Sequence, residues 1–440
     1  MKTRFLIFPL LILFFQQTKA QNNSRVLEIS SLEDAWNYAL KNNPDQKTSI
    51  RNIEKSKTEL RVSESYFLPD AIGSFAGQIN TKLASTAVPG ELFGKPGQTM
   101  EVQFGQKYNY NTGISISKSV LDFQNLIQIK LAQNEMQTTQ LQSEAFEQNL
   151  KQQVAVYYYL VLISQEALKL YHQNLVFADS IESLTEQKFQ QGIINISAEN
   201  QATISRNNIE QQIINTEIYL LQYQNSLKIL LGVDVDTELK SETLDLLQVP
   251  ISSGETGLGK DKNLPVRENM QKSAKLKVDL QKSAFLPKLN FIAYYGEQQF
   301  RNQAGMSLKS ADWNPVNYIG LNLQIPIFTG FTNRNKLKSS EIENLTAQSD
   351  WEETIRKSTL NDELLLNEFD QSRKMLKPVS ENYQLFLQNR QTAEQQLKEG
   401  IISRDVYFKI FEDFLNAENS YLSALSVFYN YYSTIISREN

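Results

Sequence analysis

Helix-breaking residues are crowded into a few short stretches of this 440-residue chain, and the long gaps between them constrain its fold more than any other feature. No proline occurs from Gly97 to Val249, and after Gly113 only Gly192 and Gly232 interrupt that region. From Gly330 to Asn440 the remaining breakers are Pro378 and Gly400. Segments this poor in breakers and rich in Gln, Leu, Glu, Ala and Lys form long helices, because those side chains lose little rotamer freedom there. The stretch from Asn125 to Gln190 is roughly 65 residues, or about 100 Å of helix at 1.5 Å per residue. Pro378 should bend its helix, since it removes a backbone hydrogen bond and clashes with the preceding turn.

Val154, Val161, Leu168 and Leu175 recur every seven residues, with Leu150 and Tyr157 on neighbouring rows. That spacing predicts a coiled-coil seam. Gln, Asn, Ser and Glu fill most other positions, so the helix buries a narrow stripe and leaves a wide face wet. Such helices suit a shell around water better than a compact core.

The two halves repeat one pattern. Gln191-Gly192-Ile193-Ile194 returns as Glu399-Gly400-Ile401-Ile402, 208 residues on, and Ser119-Val120-Leu121 returns as Pro326-Ile327-Phe328 at an offset of 207. Phe67-Leu68-Pro69 matches Phe285-Leu286-Pro287 at an offset of 218, so the first half carries an insertion between Pro69 and Ser119. Each half also holds two β-rich runs. In the first, Ile72 to Asn80 precedes a loop with Gly90, Gly94, Pro96 and Gly97, and Gly113-Ile114-Ser115-Ile116-Ser117 alternates. In the second, Leu289 to Tyr295 is followed by Leu321-Asn322-Leu323-Gln324-Ile325. Alternation of this kind fits either a soluble hairpin with one wet face or a membrane barrel with lipid on one side and water on the other. Four strands cannot close a membrane barrel, whose smallest examples have about eight, so a barrel here must be shared by several copies. A helix before and after each strand pair would then hang from one end of that barrel.

Composition removes other readings. With no cysteine and one histidine, His172, the chain cannot build disulfides, cysteine zinc sites, thiolate catalysis, a HExxH helix or a multi-histidine metal site. The net charge of -5 without a basic block argues against nucleic acid. Lys2 and Arg4, the apolar run from Phe5 to Phe15 and the small residues around Thr18-Lys19-Ala20 predict a cleaved signal peptide at 1–20. An exported enzyme with paired carboxylates would need a concave pocket, which wet-faced helices do not offer. No catalytic residue, metal or cofactor is expected. A secreted or periplasmic coiled-coil scaffold or adhesin is the alternative to a channel.

The residues resemble the TolC-type outer-membrane factor family over nearly the whole chain beyond residue 20. The landmarks are Ser31-Leu32-Glu33-Asp34-Ala35, Ala39 to Pro44, Phe67-Leu68-Pro69, Leu323 to Gly330, Gly400 to Val406 and Asn416 to Tyr421. The resemblance implies a mainly α fold with a small β part. A long α-helical coiled-coil barrel in the periplasm would continue a shared transmembrane β-barrel of four strands per chain, in a homotrimer with an internal two-fold sequence repeat. Residues 21–232 would form the first repeat, 233–262 an equatorial linker and 263–440 the second repeat. The implied function is the passive exit duct of a tripartite efflux pump or type I secretion system in the Gram-negative outer membrane. The partners would be a periplasmic adaptor protein, an inner-membrane transporter and outer-membrane lipid.

The resemblance also places sites. Gly192, Ile193, Gly400, Ile401 and Ser403 would form adaptor-docking tips, and Arg404, Asp405, Lys409, Glu412 and Asp413 would lie at the periplasmic entrance. The acidic entrance positions of the best-known member fall here on Val406 and Lys409, and its gating Tyr and Arg positions on Leu397 and Ile402, so that acidic ring is not carried over. Ile114, Ile116, Leu321, Leu323 and Ile325 would meet lipid, and the loops Thr81 to Lys107 and Glu297 to Asn317 would face outward.

Overall fold

The computed structural model describes residues 26–241 and 258–439. The expected signal peptide and the part of the linker holding Pro250, Gly254 and Gly257 lie outside those residues. Helices α1 (Leu32–Asn42), α2 (Pro44–Ser65), α3 (Phe123–Gln190), α4 (Ile196–Leu231), α5 (Asn263–Ser283), α6 (Thr332–Lys398) and α7 (Arg404–Glu439) alternate with eight strands. α3 holds 68 residues and α6 holds 67, as the sparse breakers require, and α6 runs on through Pro378.

The chain divides into two compact units. The first gathers the described parts of Met1–Asn43, Gln153–Ser252 and Met375–Asn430. In it β1 (Val26–Ile29) pairs in parallel with β6 (Glu238–Ser241), a strand within the expected linker that its residues do not announce. α1 is capped by Ser31, whose hydroxyl accepts from the Asp34 amide. It is tied to the end of α4 where Asn43 Nδ2 donates to the Leu230 carbonyl at 2.9 Å. Gly232 ends α4 with φ 68°, and a Cβ there would stand 2.7 Å from the Asn42 carbonyl oxygen.

The seam along α3 departs from a strict heptad row. Val154 and Val161 are buried, but Leu168 and Leu175 are only half-buried, and the covered line passes through Ala167, Tyr171, Asn174, Ala178 and Ile181. Buried Val161, Ser164 and Ala167 follow one another in three-residue steps. Each such step turns the stripe about 60° round the helix, which moves it off the original row.

The second unit comprises Pro44–Gln152, the described part of Ser253–Lys374, and Tyr431–Asn440. Its main sheet has the order β2-β5-β7-β8, all antiparallel, from β2 (Asp70–Ile79), β5 (Tyr108–Leu121), β7 (Lys288–Arg301) and β8 (Asn314–Gln324). β7 and β8 extend further than the expected outer loop allowed, leaving 302–313 between them. The first loop is not irregular either. It contains a hairpin of β3 (Ser85–Pro89) and β4 (Thr99–Gln103) around a 3-10 turn at Gly90–Phe93. Beneath the sheet, Asp122 caps α3 by accepting from the Gln124 amide at 2.9 Å and pairs with Lys288 Nζ at 3.0 Å. Further along, Asn134 and Asn269 each donate to the other's carbonyl, at 3.0 and 3.1 Å, and fasten α5 to α3.

Candidate functional site

Both helix-to-helix turns in the first unit close by the same bonds. After α3, Gly192 takes φ 71°, its amide donates to the Phe189 carbonyl at 2.8 Å, and the Ile193 amide donates to the Lys188 carbonyl at 2.9 Å. After α6, Gly400 takes φ 75° and the corresponding bonds run to Leu397 at 3.2 Å and from Ile401 to Gln396 at 2.8 Å. Glycine is needed because a left-handed residue lets the last carbonyls of a helix find donors. The returning helices are capped by Asn195, whose Oδ1 accepts from the Ala198 amide at 3.0 Å, and by Ser403, whose hydroxyl accepts from the Val406 amide at 3.4 Å. Each turn presents an isoleucine to solvent, Ile193 at 63% and Ile401 at 65% exposure. No atom beyond the neighbouring residues lies within 4 Å of a Cβ placed at either glycine, so neither glycine is crowded.

Of the expected entrance charges, Asp405, Lys409 and Glu412 follow at helical spacing and are exposed, forming one stripe on α7. Glu412 accepts from Gln201 Nε2 of α4 at 2.7 Å. Asp413 is half-exposed. Arg404 is set apart from this stripe: it is half-buried, and its Nη1 is enclosed without a hydrogen-bond partner among the described residues. On α3 and α4, Arg206 bridges Asp179 at 3.0 Å and Glu210 at 2.5 Å, which raises its pKa, the hydrogen bond to Asp179 first among the causes.

Further along α7 lies a buried polar cluster that sequence reading missed. Tyr407, Phe411, Phe414, Glu418, Tyr421, Leu425 and Phe428 alternate spacings of four and three, and all seven are buried. Glu418 is thus the one acid in an aromatic seam, 1% exposed, and it accepts from Asn174 Nδ2 of α3 at 2.7 Å. Asn174 Oδ1 in turn accepts from Arg390 Nη1 of α6 at 3.3 Å, while the Arg390 guanidinium lies 4.6 Å from the Phe414 ring centroid. Burial pushes the Glu418 carboxyl up to about 7, against the opposing pull of Asn174 and Arg390. Burial also pushes the Tyr171 and Tyr383 phenols up to about 12. The seven-residue pattern of α7 carried the signal, but an acid in such a row reads equally as a wet position until its neighbours are known. His172 is exposed, as expected of a helix-surface residue.

In the second unit, the strand register puts the expected lipid-facing residues on one face. Ile114 opposes Tyr295, Ile116 opposes Ala293, Leu321 opposes Phe291 and Leu323 opposes Leu289. Alternation sends Ser115, Ser117, Asn290, Asn322 and Gln324 to the other face. The apolar face is bare in the single chain: Leu321 is 67% exposed, Leu323 59% and Ile319 77%. Ile325 lies one residue beyond β8 and is exposed as well. Among the described residues, neither edge strand, β2 or β8, has a partner on its outer side. Among the described residues no helix is long and apolar enough to cross a membrane, and no group of three or more His, Asp or Glu residues is placed to hold a metal.

Residues 36–233 and 258–425 match a family model described as outer membrane efflux protein. No curated protein sequence matches the chain. Among solved structures, the chain is similar to the CmeC outer membrane channel of Campylobacter jejuni, with 18% identity and a TM-score of 0.75 over 92% of this chain and 85% of that one. It is also similar to the outer membrane protein VceC of Vibrio cholerae, with 14% identity and a TM-score of 0.72 over 92% of this chain and 95% of that one. The open-state MtrE outer membrane channel of Neisseria gonorrhoeae aligns at 16% identity and a TM-score of 0.70, covering 92% and 88%.

Proposed function

The chain belongs to the outer membrane efflux protein family, and on that footing we propose that three copies assemble into the exit duct of a tripartite efflux pump or type I secretion system. The family is one of outer-membrane channels rather than enzymes, and the finer reading concerns how this chain builds and connects such a channel. The observation that carries it is the four-stranded sheet, bare and apolar on one face, with Ser115, Ser117, Asn290 and Asn322 on the other, and open at both edges. An open apolar sheet is unstable in water and in lipid alike, because its edge amides and carbonyls need partners. Pairing β8 of one copy with β2 of the next satisfies them, and three copies give a closed barrel of twelve strands, large enough to enclose water. Ser115, Ser117, Asn290 and Asn322 would then line the passage.

The signal peptide at 1–20 exports the chain, residues 21–232 and 263–440 form its two repeats, and 233–262 the equatorial linker. The turns at Gly192-Ile193 and Gly400-Ile401-Ser403 dock a periplasmic adaptor protein, through which an inner-membrane transporter supplies the energy. Two exposed isoleucines on matching turns give a partner helix two equivalent apolar contacts. Asp405, Lys409 and Glu412 form the charged lining of the entrance, with Arg404 and Asp413 beside it.

The test is fractionation of the cells followed by sizing of the detergent-extracted protein. Outer-membrane recovery as a trimer is the expected result, and site-specific crosslinking from Ile193 and Ile401 should then capture the adaptor. A monomer in the soluble periplasmic or secreted fraction would refute the duct and leave a helical scaffold.

A further inference from the structure

We propose that the wet face of the sheet carries a binding platform for uncharged planar aromatic solutes, built on the rings of Tyr294 and Tyr318. This rests on the channel reading, which turns that face towards the water-filled passage, and adds to it the chemical class of solute that the wall holds.

Register aligns Ile72, Ser115, Tyr294 and Tyr318 in one row across all four strands. Residues directly opposite one another share a face, and Ser115 alternates with Ile114 and Ile116, so the whole row lies on the side away from the expected lipid. The two tyrosine rings are stacked, with centroids 5.6 Å apart and planes 21° from parallel. Gly113 and Gly296 face each other in the neighbouring row. A Cβ at either glycine would stand 2.7 Å from the Tyr294 hydroxyl oxygen. The Tyr294 ring therefore lies down over two positions that have no side chain, instead of standing off the sheet. An aromatic ring laid over strand glycines restores the packing that they lack.

Covering glycine accounts for Tyr294 but not for its neighbours. Tyr318 is 53% exposed and Ile72 55%. Ile292 lies on the same face, opposite Ser117. The interior of a water-filled barrel is polar, and this face already uses asparagine at 290 and 322, so apolar surface here is a departure. Apolar surface left in water marks a place where something apolar is held. The platform has the form of a ring-binding site: two near-parallel aromatic faces, with Ser115 and the tyrosine hydroxyls as the few polar groups at the edge. Neither this row nor the glycine row, which runs from Ser74 to Val316, contains a charged residue, so an ion would find no counter-charge. A sugar would need hydrogen-bonding partners around its rim, where Ile72 and Ile292 stand instead. In three copies the row recurs at one level and sets three platforms around the passage.

The test is saturation-transfer NMR on the full-length protein extracted in detergent, with caffeine as a neutral planar probe and maltose as a sugar. Each probe is titrated against the parent, Tyr318→Phe, Tyr318→Leu and Tyr318→Asn, and the signal from empty micelles is subtracted. Phenylalanine keeps the ring, leucine keeps only apolarity, and asparagine is the residue this face uses at 322. Recovery as an outer-membrane trimer checks the assembly of each variant, and either ring-deleting variant suffices. Caffeine should bind the parent and Tyr318→Phe alike, and Tyr318→Leu and Tyr318→Asn about three- to tenfold more weakly, with little transfer to maltose. Equal caffeine binding with and without the ring, or none in the parent trimer, would overturn the platform and leave the channel standing. Stronger transfer to maltose that is lost with the ring would overturn the aromatic assignment in favour of a sugar. Recovery of the parent as a soluble monomer would refute the channel reading and the platform together.

Discussion

Replacing Glu418 with glutamine should stabilise the helical region around it above neutral pH and do little below pH 5. The size follows from the site. Glu418 is buried among Asn174, Arg390, Phe414 and Tyr421, and burial raises its carboxyl from 4.5 to about 7. Below about pH 4.5 the group is protonated both in place and in the opened chain, so it contributes nothing to pH dependence. As pH rises towards 7 the opened chain loses the proton first, and the folded state is progressively destabilised relative to it. Above 7 the cost levels off at the full shift, about 3 kcal/mol at 1.36 kcal/mol per pH unit. Glutamine keeps an oxygen to accept from Asn174 Nδ2 and carries no charge, which removes that cost.

The charged groups facing Glu418 do not reverse the sign. Arg390 on α6 favours the ionised form but reaches Glu418 through Asn174 rather than directly, and Tyr171 and Tyr383 stay neutral throughout this range. The assay is amide hydrogen exchange across Phe411 to Leu425 in the detergent-solubilised protein, corrected for intrinsic rates at each pH. Glu418→Gln should exchange about a hundredfold more slowly than the parent at pH 8.5, and the two should approach each other at pH 5. A difference that does not change with pH, or faster exchange in the variant at pH 8.5, would refute the account of the cluster as a buried, proton-holding carboxyl.

Other sites give sharper local expectations. Leu323→Arg should cost a few kcal/mol per copy if Leu323 lies near the bilayer midplane, which outer-membrane recovery would show as lost assembly. Gly192→Ala and Gly400→Ala should each cost about 1 kcal/mol, from backbone conformation alone, because the space around both is open. Gly232→Ala should cost distinctly more, since its Cβ would stand 2.7 Å from the Asn42 carbonyl oxygen; exchange at the end of α4 compares the three. Asn269→Ala removes one partner of the reciprocal pair with Asn134 and should cost about 1 to 3 kcal/mol, read from faster exchange along α5.

The helices and their turns were legible because glycine and proline act locally. Gly192 and Gly400 stop their helices by conformation, whatever surrounds them, and a gap free of breakers sets helix length without reference to packing. The strands were legible in position and in facing, since Ile114, Ile116, Leu321 and Leu323 alternate strictly with Ser and Asn. What escaped was set by distant partners. β6 forms because Glu238–Ser241 lies beside Val26–Ile29, and Glu-Leu-Lys-Ser has no apolar pattern of its own. The β3–β4 hairpin hides in a polar loop whose turn is built by Gly90 and Gly94, residues equally at home in irregular chain. Glu418 was visible as a letter within the Asn416 to Tyr421 motif, but its burial depends on Asn174 and Arg390, far away in sequence. Leu168 and Leu175 slipped from the seam for the same reason: a helix keeps a strict heptad only while one neighbour follows it.

The two units differ in what a single chain leaves uncovered, and the difference bears on assembly. In the first, α7 carries a continuous buried seam from Tyr407 to Phe428 against α3 and α6, while Ile204, Ile214, Ile218, Leu221 and Ile229 of α4 stay exposed. In the second, Ile342, Leu345, Ile355, Leu360 and Leu364 of α6 remain exposed, as do the apolar sheet face and both sheet edges. Lipid can cover the sheet face but cannot pair an edge, and water does not reward exposed leucines on a helix. The edges and the α6 residues therefore call for the same remedy, another copy of the chain alongside, whereas the sheet face calls for a bilayer. One strand, β8, stands at the junction of the two demands: its outer edge needs a neighbouring protein strand and its apolar side chains need lipid. On the proposed duct, barrel closure between copies and insertion into the membrane are for that reason coupled, and a change that blocks either should leave the other incomplete.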